Sequence, residues 1–327
     1  MSSKGFMLID ESNWGHAAAA TQRLSIGEQE THVVFGFIRR LRSILATFPM
    51  LNPISLADGI SWRYERFPEY KASRNKEPET KQELKIAEIR KGFKSQKKLL
   101  IQALGLLGVR RMHALNLEAD DLAAMLVKRY AGDRRILMLS GDKDWLQLVR
   151  PSVTWMDVIN DRRIGFKTFS ENNKNTASVG LGFERAGEWV GISRPDQWAD
   201  VKCLMGDTSD GVPGVGGIGE KGAIELVRKY GSVANFFNMV LDKSLDVDSL
   251  PKKLKDFALS VEKNDIFRRN DMLMNLDSRL APKPNGLTLS SPKLDKEGFR
   301  EFCSAWMFQS ILTDFDNWIE PFEGVTS

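Results

Sequence analysis

The sequence predicts an α/β protein: a mainly parallel sheet alternating with helices, followed by a helical second half. Three observations lead there. Short apolar runs that end in an acid alternate with helix-period segments from Phe6 to Asp144. Strand signals stop after about Gly191, where Gly-hinged helical stretches take over. The chain of 327 residues is 42% apolar and 28% charged, enough to bury a core and too apolar for disorder.

The first strand signal is Phe6-Met7-Leu8-Ile9, ended by Asp10. Val34, Phe37, Ile38, Leu41, Ile44 and Leu45 then recur at helical spacing across Thr31–Phe48. The second strand, Ile54-Ser55-Leu56-Ala57, also ends in an acid, Asp58. A basic segment follows from Trp62 to Lys98, with 12 Lys or Arg against 6 Glu in a chain of net charge only +4. Leu99–Leu107 reads as a helix stopped by Gly108, and Glu118–Tyr130 as a helix with an acidic first turn. Ile136–Leu139 is a third buried strand, followed by Ser140-Gly141-Asp142-Lys143-Asp144. In the second half, helical stretches are predicted over Pro195–Leu204, Ile224–Tyr230, Val233–Leu241 and Leu250–Phe267.

Several classes are excluded. There is no apolar run of membrane-helix length, and Met1–Asp10 lacks a signal-peptide apolar region. Two cysteines, Cys203 and Cys303, make neither a disulfide framework nor a cysteine zinc site. His16, His32 and His113 lack H-x-x-x-H spacing. A protein of a reducing compartment, the cytoplasm, is expected, with no membrane partner.

Nine carboxylates stand out: Asp10, Asp58, Glu118, Asp120, Asp121, Asp142, Asp144, Asp207 and Asp210. Three stand at the ends of apolar strands, Asp10, Asp58 and Asp142, and functional groups gather at the carboxyl ends of parallel strands. Glu118 and Asp121 share a helix face, a turn that taken alone reads as a capped, solvated helix start. Acids pooled without cations repel one another; hard divalent cations, Mg²⁺ or Mn²⁺, remove that cost through oxygen ligands. Two such cations suit in-line displacement at phosphorus.

The stretch Gly214-Val-Gly216-Gly217-Ile-Gly219 fits G-x-G-x-x-G, but no strand precedes it, so the dinucleotide reading is rejected. Gly217–Ala223 parses better as a hairpin between helices whose backbone N–H groups meet a phosphate. The alternative is a plain helix-turn-helix connection. In the basic segment, Arg63, Arg66, Lys71, Arg74 and Lys76 are expected to pair with phosphates, and Tyr64, Phe67 and Tyr70 to stack on unpaired bases. For Lys81–Lys98 a solvated amphipathic helix competes with that reading.

Six motifs occur in order: Leu8-Ile9-Asp10, Ala57-Asp58-Gly59, Tyr70-Lys71-x-x-Arg74, Glu118-Ala-Asp120-Asp121, Gly141-Asp142-Lys-Asp144 and Gly206-Asp207-x-x-Asp210-Gly211-x-Pro213-Gly214. Together they resemble the flap endonuclease/5′–3′ exonuclease superfamily, in particular stand-alone bacteriophage 5′ nucleases and the 5′-nuclease domain of bacterial DNA polymerase I. The resemblance covers about Phe6 to Asn275. It implies a PIN-like α/β catalytic core over 1–190 carrying a helical arch at 62–98. A helix-hairpin-helix (H3TH) DNA-binding domain follows over 191–280, then an extension over 281–327. It implies that Asp10, Asp58, Glu118, Asp120 and Asp142 hold a first metal and Asp144, Asp207 and Asp210 a second, with Asp121 in the shared cluster. Lys71 and Arg74 fall at the arch base, where they steer the scissile phosphate. Gly217, Gly219 and Lys221 fall in the duplex-gripping hairpin, where the family's K⁺ ion sits among carbonyls.

The implied function is a metal-dependent 5′-3′ exonuclease or flap endonuclease acting on DNA with 5′ ends, flaps or junctions, and on RNA–DNA hybrids in primer removal. A free-standing monomer is expected, meeting replication proteins, in the host cytoplasm where the source is a phage. Two rivals stand beside it: a PIN-type single-strand ribonuclease, which needs no duplex grip, and a non-catalytic DNA-junction binding protein, which needs no intact acid set. Gln309-Ser-Ile-Leu312-Thr-Asp-Phe315 faintly resembles a sliding-clamp peptide but reads better as a helix packed on the core.

Overall fold

The computed structural model describes residues 4–21, 24–170, 179–278 and 280–325. The first three residues, on which part of the amino-terminal reading rests, lie outside them. Seven strands form the main sheet: β1 (Gly5–Asp10), β2 (Leu51–Ala57), β3 (Arg110–His113), β4 (Ile136–Leu139), β5 (Val153–Asp157), β6 (Arg162–Ile164) and β7 (Thr288–Ser290). Their order is β7-β3-β2-β1-β4-β5-β6. The five inner strands are parallel; β6 and β7 are antiparallel edges.

Every residue of β1 is buried, as a central parallel strand covered on both faces requires. Leu8 packs into one core with Leu56, Met138, Trp155 and much of the helical half. Met7 and Ile9 face the opposite core, with Leu137, Phe37 and the carboxyl-terminal aromatics Phe299, Phe315 and Phe322. This is the two-residue alternation of a strand. Ile9 stands in register with Ser55 and with Leu139, so Asp10, Asp58 and the turn after β4 emerge side by side.

The part of the basic segment from Lys81 onward and the helix expected at Leu99–Leu107 join into one helix, Lys81–Leu106. A Thr80–Glu83 capping box starts it, and Gly108, at φ 72°, ends it. Its length is about 39 Å at 1.5 Å per residue. Residues 81–86 are exposed on every face, and burial begins at Phe93. The start of this helix therefore projects past the core.

The second half holds the helices Asp196–Met205, Glu220–Tyr230, Val233–Leu241, Lys252–Leu259 and Val261–Met274. Two short antiparallel pairings interrupt it, Gly182–Arg185 with Glu188–Gly191 and Gly206–Asp207 with Val212–Pro213. The second pairing needs its glycines. Gly206 has φ 75°, and a Cβ on Gly214 would stand 2.1 Å from the Met205 carbonyl oxygen.

The carboxyl-terminal stretch completes the first-half core. Helices Lys296–Ala305 and Phe315–Glu323 bury their aromatic faces there. Ile311 and Phe315 are buried, which settles the resemblance to a clamp peptide in favour of core packing.

Candidate active site

Asp10, at the end of β1, accepts from the Asn13 N–H (2.9 Å) and from Ser140 Oγ (2.8 Å). Asp58, one residue past β2, accepts from Ser12 Oγ (2.6 Å) and from the Ala119 N–H (2.8 Å), which opens the Ala119–Tyr130 helix. Asp120 accepts from the Trp145 indole at 2.6 Å. Asp142 accepts from the Asp144 N–H at 2.8 Å and stands exposed at the mouth of the group.

A second set comes from the helical half. The Gly206–Asp207/Val212–Pro213 ribbon presents Asp207 and Asp210 to the sheet's carboxyl edge. Lys202 bridges the two halves: its Nζ lies 2.6 Å from Asp207 Oδ2 and 3.1 Å from Asp144 Oδ1. Lys71 does the same on the other side. Its N–H donates to the Asp210 carbonyl at 2.7 Å. Its ammonium donates to Glu118 and lies 3.8 Å from Asp210 Oδ2. Arg74 donates to Asp210 Oδ1 at 2.7 Å.

The electrostatics are those of crowded negative charge. Burial, then Asp58 and Asp142, push Asp10 up to about 7. Burial and Asp142 push Asp144 up to about 7. Asp120 is raised by burial, Asp142 and Glu118. Desolvation, then Asp210 and Asp207, raise Asp142 against the opposing Asp144 N–H and Lys202. Burial would also raise Glu118 and Asp207, but Lys71 and Arg63 hold the first low and Lys202 the second. Among the described residues, no three acid, His or Cys side chains close on one point as metal ligands would.

Three expectations are corrected. Tyr70 does not stack on bases: it is 3% exposed, and its hydroxyl lies between Glu118 Oε2 (3.0 Å) and Asp210 Oδ2 (3.1 Å), with one proton to donate to either. Arg63 does not face phosphate. It is buried, donates to both oxygens of Asp121 at 2.9 Å, and holds the Leu273 carbonyl at 2.6 Å. Asp121 is therefore spent on Arg63 and on the Glu118 N–H (3.0 Å), and is not an open ligand. A buried guanidinium requires such partners, and the two acids supply them. Arg66 and Tyr64 remain on the surface, while Phe67 is half-buried beneath Arg269.

The hairpin takes the predicted form. Gly219 caps the Glu220–Tyr230 helix, and Val215 and Ile218 anchor the loop in the core. Gly217 and Gly219 are exposed, and a Cβ on Gly219 would meet nothing within 4 Å. Among the described residues, the N–H groups of Gly217, Ile218 and Gly219 donate to no protein acceptor. Lys221 is exposed just beyond them, over the Phe183 ring.

Family descriptions match both halves: "5′-3′ exonuclease, N-terminal resolvase-like domain" over residues 6–175 and "5′-3′ exonuclease, C-terminal SAM fold" over 193–287. The chain belongs to the 5′-3′ exonuclease family. Among its relatives, DNA polymerase I of Thermus thermophilus is 29% identical over 292 residues, 88% of this chain and 30% of the polymerase. DNA polymerase I of Mycobacterium tuberculosis is 31% identical over 292 residues, 86% of this chain and 28% of that protein. The chain thus spans about a third of these relatives' length. In structure it is similar to a bacteriophage T5 5′-exonuclease with divalent zinc bound, with TM-score 0.60 and 18% identity, covering 98% of this chain and 99% of that one. That likeness shows a shared fold.

The chemistry of this donor set fits a divalent cation. Its donors are oxygens, and burial together with neighbouring carboxylates raises the proton affinity of Asp10, Asp120, Asp142 and Asp144. Lys202, Ser12 and Ser140 were missed by sequence reasoning. The available signal for Lys202 was the one cation in the Trp198–Met205 run, five residues before Asp207.

Proposed function

We propose that this protein is a structure-specific, divalent-metal-dependent 5′ nuclease that hydrolyses phosphodiester bonds near the 5′ ends of DNA. The observation that carries the reading is the meeting of the acids after β1, β2 and β4 with Asp207 and Asp210 from the helical half, under Lys71 and Arg74. The proposed units are a catalytic region over 1–190, a duplex grip over 191–280 and a carboxyl-terminal segment over 281–327.

Asp10, Asp58, Glu118, Asp120 and Asp142 would hold one ion, and Asp144, Asp207 and Asp210 a second, Mg²⁺ or Mn²⁺. Such ions lower the pKa of water and neutralise charge on transferring oxygens. The chain's own residues do the rest. Ser12, Asn13 and Ser140 fix the carboxylates of Asp10 and Asp58 by hydrogen bonds. Lys71 and Arg74 place cations beside the acids, where the phosphate of the cleaved bond gains charge. Arg63 and Tyr70 hold Glu118, Asp121 and Asp210 in place. Gly217, Ile218 and Gly219 offer free N–H groups to a duplex phosphate, with Lys221 beside them. These groups position DNA without reading its sequence.

The test is a substrate panel in Mg²⁺: a 5′-flap duplex, a 5′-recessed duplex, an RNA–DNA hybrid with a 5′ end, a 3′-flap duplex and a circular single strand. Cleavage should fall near 5′ ends, and the circle should resist. Equal cleavage of the circular strand would contradict the proposal and favour an end-independent single-strand nuclease.

A further inference from the structure

The turn that carries Asp142 and Asp144 is tied by tryptophans. Trp155, on β5, donates its indole N–H to the Asp142 carbonyl at 3.0 Å. Trp198, on the Asp196–Met205 helix, donates to the next carbonyl, that of Lys143, at 2.9 Å. Trp145, inside the turn, donates to the Asp120 carboxylate at 2.6 Å. Trp145 and Trp155 are fully buried and Trp198 is 4% exposed. An indole N–H is a donor only, and here three of them, from a strand, a helix and the turn itself, spend that donor around one group of acids. Burial alone does not force this arrangement: Trp62 and Trp189 leave buried indole nitrogens without a partner.

Two consecutive carbonyls, one tied to a strand and the next to a helix, fix the peptide planes between Asp142 and Asp144. The acidic side chains at either end are thereby aimed. The Asp196–Met205 helix adds a further tie. Lys202 lies four residues after Trp198, on the same helix face, and reaches Asp144. A ligand set held before the ion arrives does not have to be ordered by it, and groups that orient metal ligands contribute to affinity without touching the ion.

We propose that Trp145, Trp155 and Trp198 are positioning residues of the metal site, which preset Asp120, Asp142 and Asp144 for a divalent cation. The proposal rests on the reading of these acids as ligands given under Proposed function. It also makes the Asp196–Met205 helix a link between that site and the helical half.

Trp155→Phe and Trp198→Phe each keep an aromatic ring and remove one N–H. The test is a Mn²⁺ titration of the full, DNA-free chain followed by electron paramagnetic resonance, beside thermal unfolding without metal. Each variant should bind Mn²⁺ about tenfold more weakly. The Mg²⁺ concentration giving half-maximal cleavage should rise in step, and the rate at saturating Mg²⁺ should return toward that of the unmodified protein. A merely structural role would lower the unfolding temperature and leave Mn²⁺ affinity unchanged, and that result in both variants overturns the proposal. Should Trp155→Phe fail to fold, Trp198→Phe carries the same test. An Asp142→Asn control separates the two readings. If it leaves Mn²⁺ binding unchanged, the ligand assignment itself fails and this inference falls with it; if it weakens binding while both phenylalanine variants do not, only the tryptophan proposal fails.

Discussion

Lys71 stands in a left-handed backbone conformation, φ 55°, and its ammonium donates to Glu118 from another part of the fold. Non-glycine residues are rare in that region and persist where their surroundings hold them. Here the Asp210 carbonyl holds the backbone and Glu118 the side chain. A cation placed at such cost suits chemistry better than plain anchoring. Lys71→Ala should lower the single-turnover rate at saturating enzyme by about 10²–10³ while changing DNA affinity far less. Lys91→Ala, on the exposed first half of the long helix, should weaken binding and reduce its salt dependence by about one unit. Paired single-turnover cleavage and binding titrations in Ca²⁺ check both. A wild-type rate for Lys71→Ala once saturated makes that residue only an anchor.

Arg63 should be a structural residue. It joins Asp121 and Glu118 to the Leu273 carbonyl, and so joins the sheet half to the Val261–Met274 helix. Arg63→Ala strands buried carboxylates and should cost about 3–5 kcal/mol of stability. Arg63→Lys keeps the charge without the paired geometry and should recover only part of it. Chemical unfolding measures both. Unchanged stability in Arg63→Ala would return Arg63 to the DNA surface.

The predicted strand ends were legible because a short apolar run closed by an acid marks the point where a buried strand leaves the core: Asp10 closes its strand, Asp58 follows its strand at once, and Asp142 follows its strand after Ser140 and Gly141. The network around Arg63 and Tyr70 was not. Aromatics interleaved with cations look alike whether they meet DNA or bury themselves against Glu118 and Asp121, which lie more than 45 positions away. Edge strand β7 was silent for another reason. Thr288, Leu289 and Ser290 are all exposed, so backbone pairing with β3 makes the strand and no side-chain period marks it. Asp121 resembled its neighbours Glu118 and Asp120 in every respect visible in sequence, and what sets it apart is that the distant Arg63 takes both of its oxygens.

Gly219 faces open space, so a larger residue there should fold normally. Gly219→Val should weaken binding to DNA with a double-stranded portion by about 1 kcal/mol, the scale of one helix-terminus anion contact. The unfolding temperature should fall only by the small cost of a poorer N-cap, and cleavage of short single strands should suffer less. Equal loss on both substrates would make the hairpin a folding element.

Asp200 should set a pH dependence of stability. Burial pushes its carboxyl up to about 6, with Asp271 and Asp196 adding to the rise and the Val233 N–H and Arg194 opposing it. Between about pH 4 and 6 the folded protein keeps a proton that the unfolded chain has released. This group's contribution therefore falls as pH rises through that window and stays lost above it. Asp200→Asn keeps an oxygen for the Val233 N–H (2.8 Å in the parent) and should be stabilised relative to the unmodified protein at pH 7 by about 1–2 kcal/mol, with the gain vanishing near pH 4. Urea unfolding at pH 4 and 7 decides it; parallel curves for the two proteins contradict the assignment.

The central claim is that the acids at the sheet's carboxyl edge bind the cations that make this chain a nuclease. Single-turnover cleavage of a 5′-flap duplex by the unmodified protein and by Asp142→Asn, each in Mg²⁺ and in EDTA, beside flap binding in Ca²⁺, tests it most directly. The account predicts cleavage by the unmodified protein in Mg²⁺ alone, and an Asp142→Asn variant that binds the flap but does not cut it. Robust cleavage in EDTA, or an Asp142→Asn variant that cuts at the unmodified rate, would contradict it.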